Sequence, residues 1–222
     1  MNPMKQLILP LFAAACLLAS CDAPADAPAA EVQGAAVNTG LQDGNYIINK
    51  VKPKVTWAAT KLTGDGHDGT LHIESGKFTL VNGEIATGKV IFDMKRIEVT
   101  DLTGEDKANL EGHLRSGDFF NVETHPKATL AISGVQESNG QNMLNATLTL
   151  NGKAVDYTIP VEMVEAEVPG GMTGLAIQGK FDMDRTKHDI TYHSQTFDDK
   201  LDWFIKDEVT VGFSVIGVPA AI

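Results

Sequence analysis

Histidines are the side chains of this sequence best suited to chemistry. The chain has six in 222 residues, and imidazole is a common zinc ligand, so a metal site is worth testing. His67 and His72 are five residues apart, as are His188 and His193. An odd separation on a strand places two side chains on opposite faces, and neither pair has the i, i+4 spacing of a helical zinc pair. We therefore predict no metal ion and no cofactor.

Acid–base catalysis is the second chemistry that these side chains could perform. His113 or His188 could act as the general base on a small apolar substrate. The other groups available for such a reaction are Asp93, Asp101, Asp118, Asp182, Asp184 and Arg185. No Ser-His-Asp pattern, nucleophile elbow or phosphate-binding loop accompanies them. We therefore predict a binding protein and not an enzyme, and keep the histidine-dependent enzyme as an alternative.

The elements that must position these side chains are short β-strands. Apolar and polar residues alternate in many of them, as in residues 144–151 (LNATLTLN). Asn-Gly pairs at 82–83, 139–140 and 151–152 predict tight hairpin turns. The predicted strands are 46–48, 54–62, 70–73, 77–81, 84–94, 129–135, 143–150, 154–164, 174–183 and 208–216. Short strands separated by such turns indicate an antiparallel sandwich or a closed barrel.

Two segments interrupt the β pattern. Residues 104–115 place leucines and an alanine among charged residues, which predicts a short helix. Residues 198–207 are interpreted as either a second short helix or a capping loop. We therefore expect an all-β antiparallel domain with one or two short helices.

The first 21 residues have the layout of an export signal. Lys5 precedes an uncharged run, 7–20, that contains Pro10 and is shorter than the roughly 20 apolar residues of a transmembrane helix. The run ends in LASC at 18–21, which resembles the lipobox of bacterial lipoproteins. That resemblance implies a signal peptide at 1–20 and a diacylated Cys21 that anchors the protein to a membrane. An ordinary secretory signal with a stray cysteine is the alternative.

The composition limits the partners and the organisation of the rest of the chain. Residues 22–44 are rich in Ala, Pro and Gly, which predicts a flexible tether over 21–44, between the signal peptide and a single domain at 45–222. Without its first 20 residues the chain has 17 basic and 29 acidic residues, a formal charge of −12, which disfavours nucleic acid as a partner. The domain has no cysteine, so its core alone must stabilise it.

Three stretches of the domain carry motifs of several residues each. Residues 46–48 (YII), 55–57 (VTW) and 66–70 (GHDGT) are similar to the opening of the YceI-like family, in which a tryptophan strand precedes a Gly-His-x-Gly turn. Residues 110–126 (LEGHLRSGDFFNVETHP) resemble its Gly-His-Leu, paired phenylalanine and proline segment, and residues 181–192 (FDMDRTKHDITY) its late Asp-Arg-Thr strand. The three stretches occur along the chain in the same order as in the family.

The sequence departs from the family in two places. Residues 187–189 (KHD) stand where the family often has an aromatic residue and a glycine. Residues 165–172 form a longer insertion than the flanking strands lead us to expect. We predict both departures at a barrel mouth, where they would change the ligand.

The resemblance implies a fold and a ligand class. The fold is a lipocalin-like closed antiparallel barrel of about eight strands, which is just wide enough to hold one slim ligand. The ligand class is an apolar isoprenoid lipid, a quinone or a polyprenyl chain. Together with the lipobox it implies a carrier or reservoir in the bacterial cell envelope, facing the periplasm or the cell surface. A stress-related barrel plugged by its own side chains is an alternative, and a dimer is one of the oligomeric states left open.

The family segments and the aromatic residues near them supply the predicted ligand-binding residues. These are Trp57, Leu110, His113, Leu114, Phe119, Phe120, Arg185, Tyr192, Trp203 and Phe204. If residues 119 and 120 are extended, one phenylalanine contacts the ligand and the other the helix; alternatively both are core residues. Trp57 lines the tunnel or is ordinary core, and Trp203 closes or gates the barrel or is core. Arg185 either holds a polar head group or pairs with a carboxylate or backbone carbonyls.

Overall fold

Antiparallel strands account for most of the described residues. The computed structural model describes residues 39–50, 53–200 and 202–220. The predicted signal peptide, the lipidated Cys21 and most of the predicted tether lie outside these ranges. Within them the strands are β1 Gly44–Ile48, β2 Lys54–Thr60, β3 Gly66–Val81, β4 Glu84–Val99, β5 Lys127–Ser138, β6 Gln141–Leu150, β7 Lys153–Val168, β8 Met172–Asp184 and β9 Glu208–Pro219. A helix, α1, covers Gly104–Arg115, and a 3-10 helix covers Arg185–His188.

The strands close into a barrel. Each strand from β2 to β9 pairs antiparallel with the next, and β9 pairs back with β2. β1 also pairs with β3 and β9, further along those strands than β2 does, so β1 and β2 share one position. The described strands thus form eight barrel positions without an unpaired edge. This confirms the predicted closed antiparallel barrel.

The two ends of the barrel differ. We call one the turn end, formed by residues 39–43, 82–83, 139–140 and 169–171, and the other the loop end, formed by residues 61–65, 100–126, 151–152 and 185–207. The three Asn-Gly turns have positive φ at both residues, as two-residue type I′ hairpin turns require, which confirms the predicted hairpins. Two segments depart from the family pattern. Residues 165–172 extend β7 and β8 at the turn end, whereas residues 187–189 lie at the loop end.

Helix α1 is fixed to the end of β4. Its bounds match the predicted 104–115 helix. Arg115 donates hydrogen bonds to the carbonyl oxygens of Lys95 and Ile97, while the Glu111 carboxylate accepts one from the backbone N–H of Val99. Leu114 is buried on the side that faces the barrel. Residues 202–207 form no second helix. Of the two interpretations given for residues 198–207, the capping loop is therefore the one that agrees with the structure.

The last residues of the predicted tether pack against the turn end. Thr39 donates two hydrogen bonds to the Gly83 carbonyl oxygen, and the Asp43 carboxylate accepts one each from the backbone N–H groups of Asn82 and Gly83. Leu41 packs against the core cluster at this end. Residues 39–43 therefore belong to the packed turn end of the barrel. The compact unit Gln33–Ile222 contains every described element, so we expect it to fold on its own.

The core lies inside the barrel, where alternate residues of each strand point. In β6 the predicted inward set Leu144, Ala146, Leu148 and Leu150 is buried, and the residues between them are partly exposed. No helix among the described residues is long and apolar enough to cross a bilayer.

Candidate functional site

An apolar cavity occupies the middle of the barrel. Its volume is about 230 Å³, and side chains from most of the strands and from α1 line it. On β4 alone the lining residues run from Ile85 to Ile97, which corresponds to roughly 30 Å along the barrel axis for a strand tilted by about 40°. A cavity of this volume and length is narrow. It suits one slim, elongated, apolar molecule better than a bulky fused-ring one.

The wall at the turn end is made of large apolar side chains. Those that line this part of the cavity include Ile48, Phe78, Ile85, Leu144, Ile159 and Val215. The edge of the Phe78 ring lies against Gly217, where a Cβ atom would clash with it. Leu41 and the stacked rings of Tyr46 and Phe78 add to the same cluster. The cavity is therefore backed by tightly packed hydrocarbon at this end.

The wall at the loop end is formed by α1 and the segment that follows it. Leu110, Leu114, Phe119 and Phe120 all line the cavity here, as predicted for ligand contacts. The expectation that the two phenylalanines face opposite ways is wrong, because both line the cavity. The chain turns at this point: the N–H of Phe119 bonds the Ser116 carbonyl and that of Phe120 the Leu114 carbonyl. The alternation of an extended strand does not apply to such a segment.

Trp57 is the largest side chain that β2 contributes to the wall. It lines the cavity with Val55 and Ala59, the same-face set expected from the sequence. Its indole ring lies against Gly69 of β3, where an added Cβ atom would come within 2.5 Å of the ring. The Nε1 atom is buried and has no hydrogen-bond partner among the described residues. Trp57 therefore supplies an aromatic part of the cavity wall at the level of Gly69.

Polar residues reach the wall where β2 and β3 meet the loop end. Thr60, Lys61 and His67 line the cavity there. His67 Nδ1 lies 2.8 Å from the carboxylate of Asp101. Burial raises the pKa of Asp101, but hydrogen bonds from His67 and backbone N–H groups outweigh it, so the net shift is downward. The sequence pattern does not predict Thr60 and Lys61 as cavity residues, and it singles out His67 only as a possible metal ligand.

Arg185 lines the cavity but its donors are all occupied. The guanidinium donates to the carbonyl oxygens of Ile190, Tyr192, Ile205 and Lys206 and to the carboxylate of Asp207. These bonds use all five N–H groups of the side chain. The prediction that Arg185 pairs with a carboxylate or backbone carbonyl groups is therefore confirmed. The alternative, in which Arg185 holds the head group of a ligand, is wrong because none of its N–H groups is free to bind one.

The other four predicted ligand residues lie outside the cavity wall. They are His113, Tyr192, Trp203 and Phe204. Their rings instead pack the 190–207 loop against the end of α1: Tyr192 contacts both His113 and Phe119, and His193 stacks on Trp203 at 3.6 Å. The Phe204 carbonyl oxygen accepts a hydrogen bond from the Leu62 N–H. These residues shape the cap of the cavity and do not face a ligand in its interior.

The two histidines of the enzyme alternative are both outside the cavity. His113 Nε2 lies 3.0 Å from the Asp118 carboxylate. His188 is fully buried, with Nδ1 3.1 Å from the Lys153 carbonyl oxygen and Nε2 3.0 Å from the Tyr157 hydroxyl. Burial lowers the pKa of His188 and raises the pKa of Tyr157 to about 12, so both are neutral at pH 7. His188 has the environment of a structural group.

We predict that His188 makes stability depend on pH. Because its pKa is lowered in the folded state, the unfolded chain takes up a proton first as the pH falls through about 6.5. Stability is therefore complete above about pH 7 and decreases below pH 6.5, with a slope of at most about 1.4 kcal/mol per pH unit. Urea unfolding between pH 5.5 and 7.5 measures this slope, and the His188→Gln variant should lose it.

The effect of His188 on the pH dependence of stability can be distinguished from the effect of the carboxylates, because the two act in different pH ranges. Asp43, Asp101 and Glu111 have lowered pKa values, so their contributions are lost only below about pH 4.5. An unchanged slope in the His188→Gln variant would contradict the role assigned to His188.

Among the described residues, no three His, Cys, Asp or Glu side chains are grouped so that they could hold a metal ion. The His67–His72 pair is split as the strand geometry requires, with His67 on Asp101 and His72 on Arg96.

Comparisons with known proteins agree with this architecture. The YceI-like domain matches residues 46–216. Protein YceI of Escherichia coli is 30% identical over 116 residues, which are 50% of this chain and 58% of the relative. A UPF0312 protein of Azotobacter vinelandii is 32% identical over 133 residues, 57% of this chain and 66% of that relative. The chain thus spans about three fifths of the length of these curated relatives.

Solved structures share the fold. BcnA of Burkholderia cenocepacia superposes with a TM-score of 0.61 at 16% identity, covering 76% of this chain and 98% of BcnA. A polyisoprenoid binding domain from Saccharophagus degradans superposes with a TM-score of 0.54 at 13% identity, covering 79% of this chain and 98% of that domain. Because the YceI-like match extends over most of the chain and over the whole barrel circuit, the chain belongs to the YceI-like domain family.

Proposed function

We propose that the protein is a membrane-anchored carrier or reservoir that holds an isoprenoid lipid, a quinone or a polyprenyl chain, inside its barrel. The observation that carries the proposal is the narrow apolar cavity that runs through the barrel. Each buried CH₂ group contributes about 0.8 kcal/mol, so one five-carbon isoprene unit contributes about 4 kcal/mol before the entropy cost of binding. A short prenyl segment would suffice for useful affinity.

Family membership supports the same ligand class. The structural neighbour from Saccharophagus degradans is a polyisoprenoid binding domain with the same barrel fold. A branched, slim prenyl chain fits a long narrow cavity better than a fused-ring lipid does. We therefore place isoprenoids ahead of other apolar ligands.

The proposed lipid anchor suits so insoluble a ligand. Thr39 lies 18 residues after Cys21, a separation that can span at most about 60 Å, against roughly 30 Å for the length of the cavity. Residue 39 lies at the turn end, so this length lets the opposite loop end reach the same bilayer. Exposed apolar side chains at the loop end, Leu62, Phe197 and Trp203, suit contact with a membrane surface. We accordingly propose a bacterial cell-envelope location, facing the periplasm or the cell surface.

Native mass spectrometry with organic extraction tests the proposal. The unit Gln33–Ile222, expressed in bacteria, should carry an apolar adduct of prenyl composition at up to one per chain. The extracted lipid is then identified by its fragment masses. A clean mass that also stays unchanged after incubation with prenyl quinones would overturn the proposal and favour the barrel plugged by its own side chains.

A further inference from the structure

Three large apolar side chains are exposed at the loop end of the barrel, and we call them the loop-end patch. Leu62 is 52% exposed, Phe197 61% and Trp203 37%. The Leu62 N–H donates to the Phe204 carbonyl oxygen, and Lys61 Nζ lies 5.4 Å from the centre of the Trp203 ring, so the segments of Leu62 and Trp203 are neighbours. Phe197 belongs to the same loop as Trp203. Exposed apolar side chains that are grouped in this way mark a contact surface.

The Trp203 ring is held in one orientation although part of it faces solvent. His193 stacks on it with 3.6 Å between the ring centres, and His193 Nδ1 lies 3.0 Å from the Trp203 carbonyl oxygen. His193 has a φ of 49°, a conformation that is uncommon outside glycine and that the surrounding structure must hold. Tyr192 contacts both Trp203 and Phe119, which lines the cavity. A ring positioned in advance loses little entropy when it binds an apolar surface.

The loop-end patch adjoins the end of the cavity. Lys61 and Ile205 both line the cavity and form a bridge between the end of β2 and the 190–207 loop. Leu62 directly follows Lys61, and Trp203 lies two residues before Ile205. An isoprenoid chain is too apolar to cross water as a free molecule, so it must pass between the cavity and a bilayer where the two touch. The position of the patch makes a bilayer surface its occupant.

The charges around the patch indicate which kind of bilayer it contacts. Residues 61–65 and 190–207 contain three lysines and five aspartates. One of the aspartates, Asp207, is paired with Arg185, which leaves four against three. Anionic lipids attract clusters of basic residues, and these segments contain no such cluster. Apolar insertion and not charge must therefore drive the contact.

We propose that the loop-end patch docks on an electrically neutral phospholipid bilayer, and that the ligand passes between the cavity and this bilayer at the loop end. Tryptophan suits such a surface, because its ring combines an apolar body with a polar N–H at the level of the head groups. The inference rests on the proposed function and specifies the surface with which the barrel exchanges its ligand.

Paired variants test the docking. They are made in the unit Gln33–Ile222, which contains the whole barrel circuit and lacks the proposed lipid anchor. The test variant carries Leu62→Ser and Phe197→Ser. The control carries Val164→Ser and Met172→Ser, which remove two apolar side chains of similar exposure, 62% and 48%, on β7 and β8. On phosphatidylcholine vesicles we expect the test variant to bind at least about tenfold more weakly than the parent, and the control to bind like the parent.

Two further measurements distinguish insertion from other kinds of contact. The chain has two tryptophans, so Trp57→Phe leaves Trp203 as the only fluorescent indole. Its emission should be quenched by vesicles whose acyl chains carry bromine. Adding phosphatidylglycerol to the vesicles should not strengthen binding of the parent, because the segments around the patch carry no excess of positive charge.

Transfer of a prenyl quinone between vesicles tests the route of the ligand. The test variant should transfer it more slowly than the control, while native mass spectrometry shows the same bound quinone in both. Equal vesicle binding by the two variants, no quenching of Trp203, or binding of the parent only to phosphatidylglycerol would overturn the inference, while a quinone adduct would leave the proposed function standing. If the parent takes up no quinone, the proposed function fails and the inference with it.

Discussion

The Ala59→Phe variant should remain folded and lose at least tenfold in affinity for a prenyl ligand. Ala59 lines the cavity on β2, between Trp57 and the polar residues at the loop end. A phenyl ring there displaces two or three methylene groups of a bound chain from a cavity of about 230 Å³, at about 0.8 kcal/mol each, which corresponds to roughly 15- to 60-fold in affinity. Overpacking of this kind costs about 1–3 kcal/mol of stability. Titration with a prenyl quinone measures the loss.

Ala58→Phe is the control for this experiment. Ala58 precedes Ala59 on the same strand, its side chain points to the opposite face, and it does not line the cavity. The control adds the same ring outside the barrel, so ligand affinity should stay within twofold of the parent. If the two variants bound the ligand equally well, the barrel interior at this level would not be the binding site.

Alternation of apolar and polar residues along the sequence is enough to predict most of the barrel strands, because one face of each strand must be buried. The exception is β3, which the sequence divides into 70–73 and 77–81. The intervening Glu74, Ser75 and Gly76 look like a loop, yet the strand continues through them, with a register shift between Ile73 and Ser75. A β-bulge at this point lets the strand continue although the alternation of apolar and polar residues is interrupted. The polar side chains are tolerated because the outer face of the barrel is in contact with solvent.

The cavity was predicted best where regular elements supply its wall. Trp57 and Leu114 occupy a strand and a helix whose inward faces follow from periodicity. Tyr192 and Trp203 lie in an irregular loop, where periodicity says nothing about direction. The partners of Arg185 lie up to 22 residues away along the chain, so the sequence could not separate a buried anchor from a head-group ligand. Loop contacts of this kind are determined only by the folded geometry.

Replacing Arg185 should produce the largest loss of stability of any single change in the domain. Arg185→Met removes the donors of four carbonyl groups and the partner of the Asp207 carboxylate, in a site where the arginine is 3% exposed. Acceptors left unpaired in such a site cost about 3–5 kcal/mol in total. At about 2–4 °C per kcal/mol for a domain of this size, Tm should fall by roughly 10 °C in calorimetry.

Two comparisons show whether the guanidinium acts as the anchor of the 190–207 loop. Lys187→Met changes an exposed cation of the same 3-10 helix, whose nearest carboxylate oxygen is 3.8 Å away, and should alter stability by less than about 0.5 kcal/mol. In Arg185→Met, hydrogen exchange should accelerate first in residues 190–207, while β6 and β7 stay protected. A loss below about 1 kcal/mol in Arg185→Met would mean that the stacked rings of His193 and Trp203 hold the loop without the arginine.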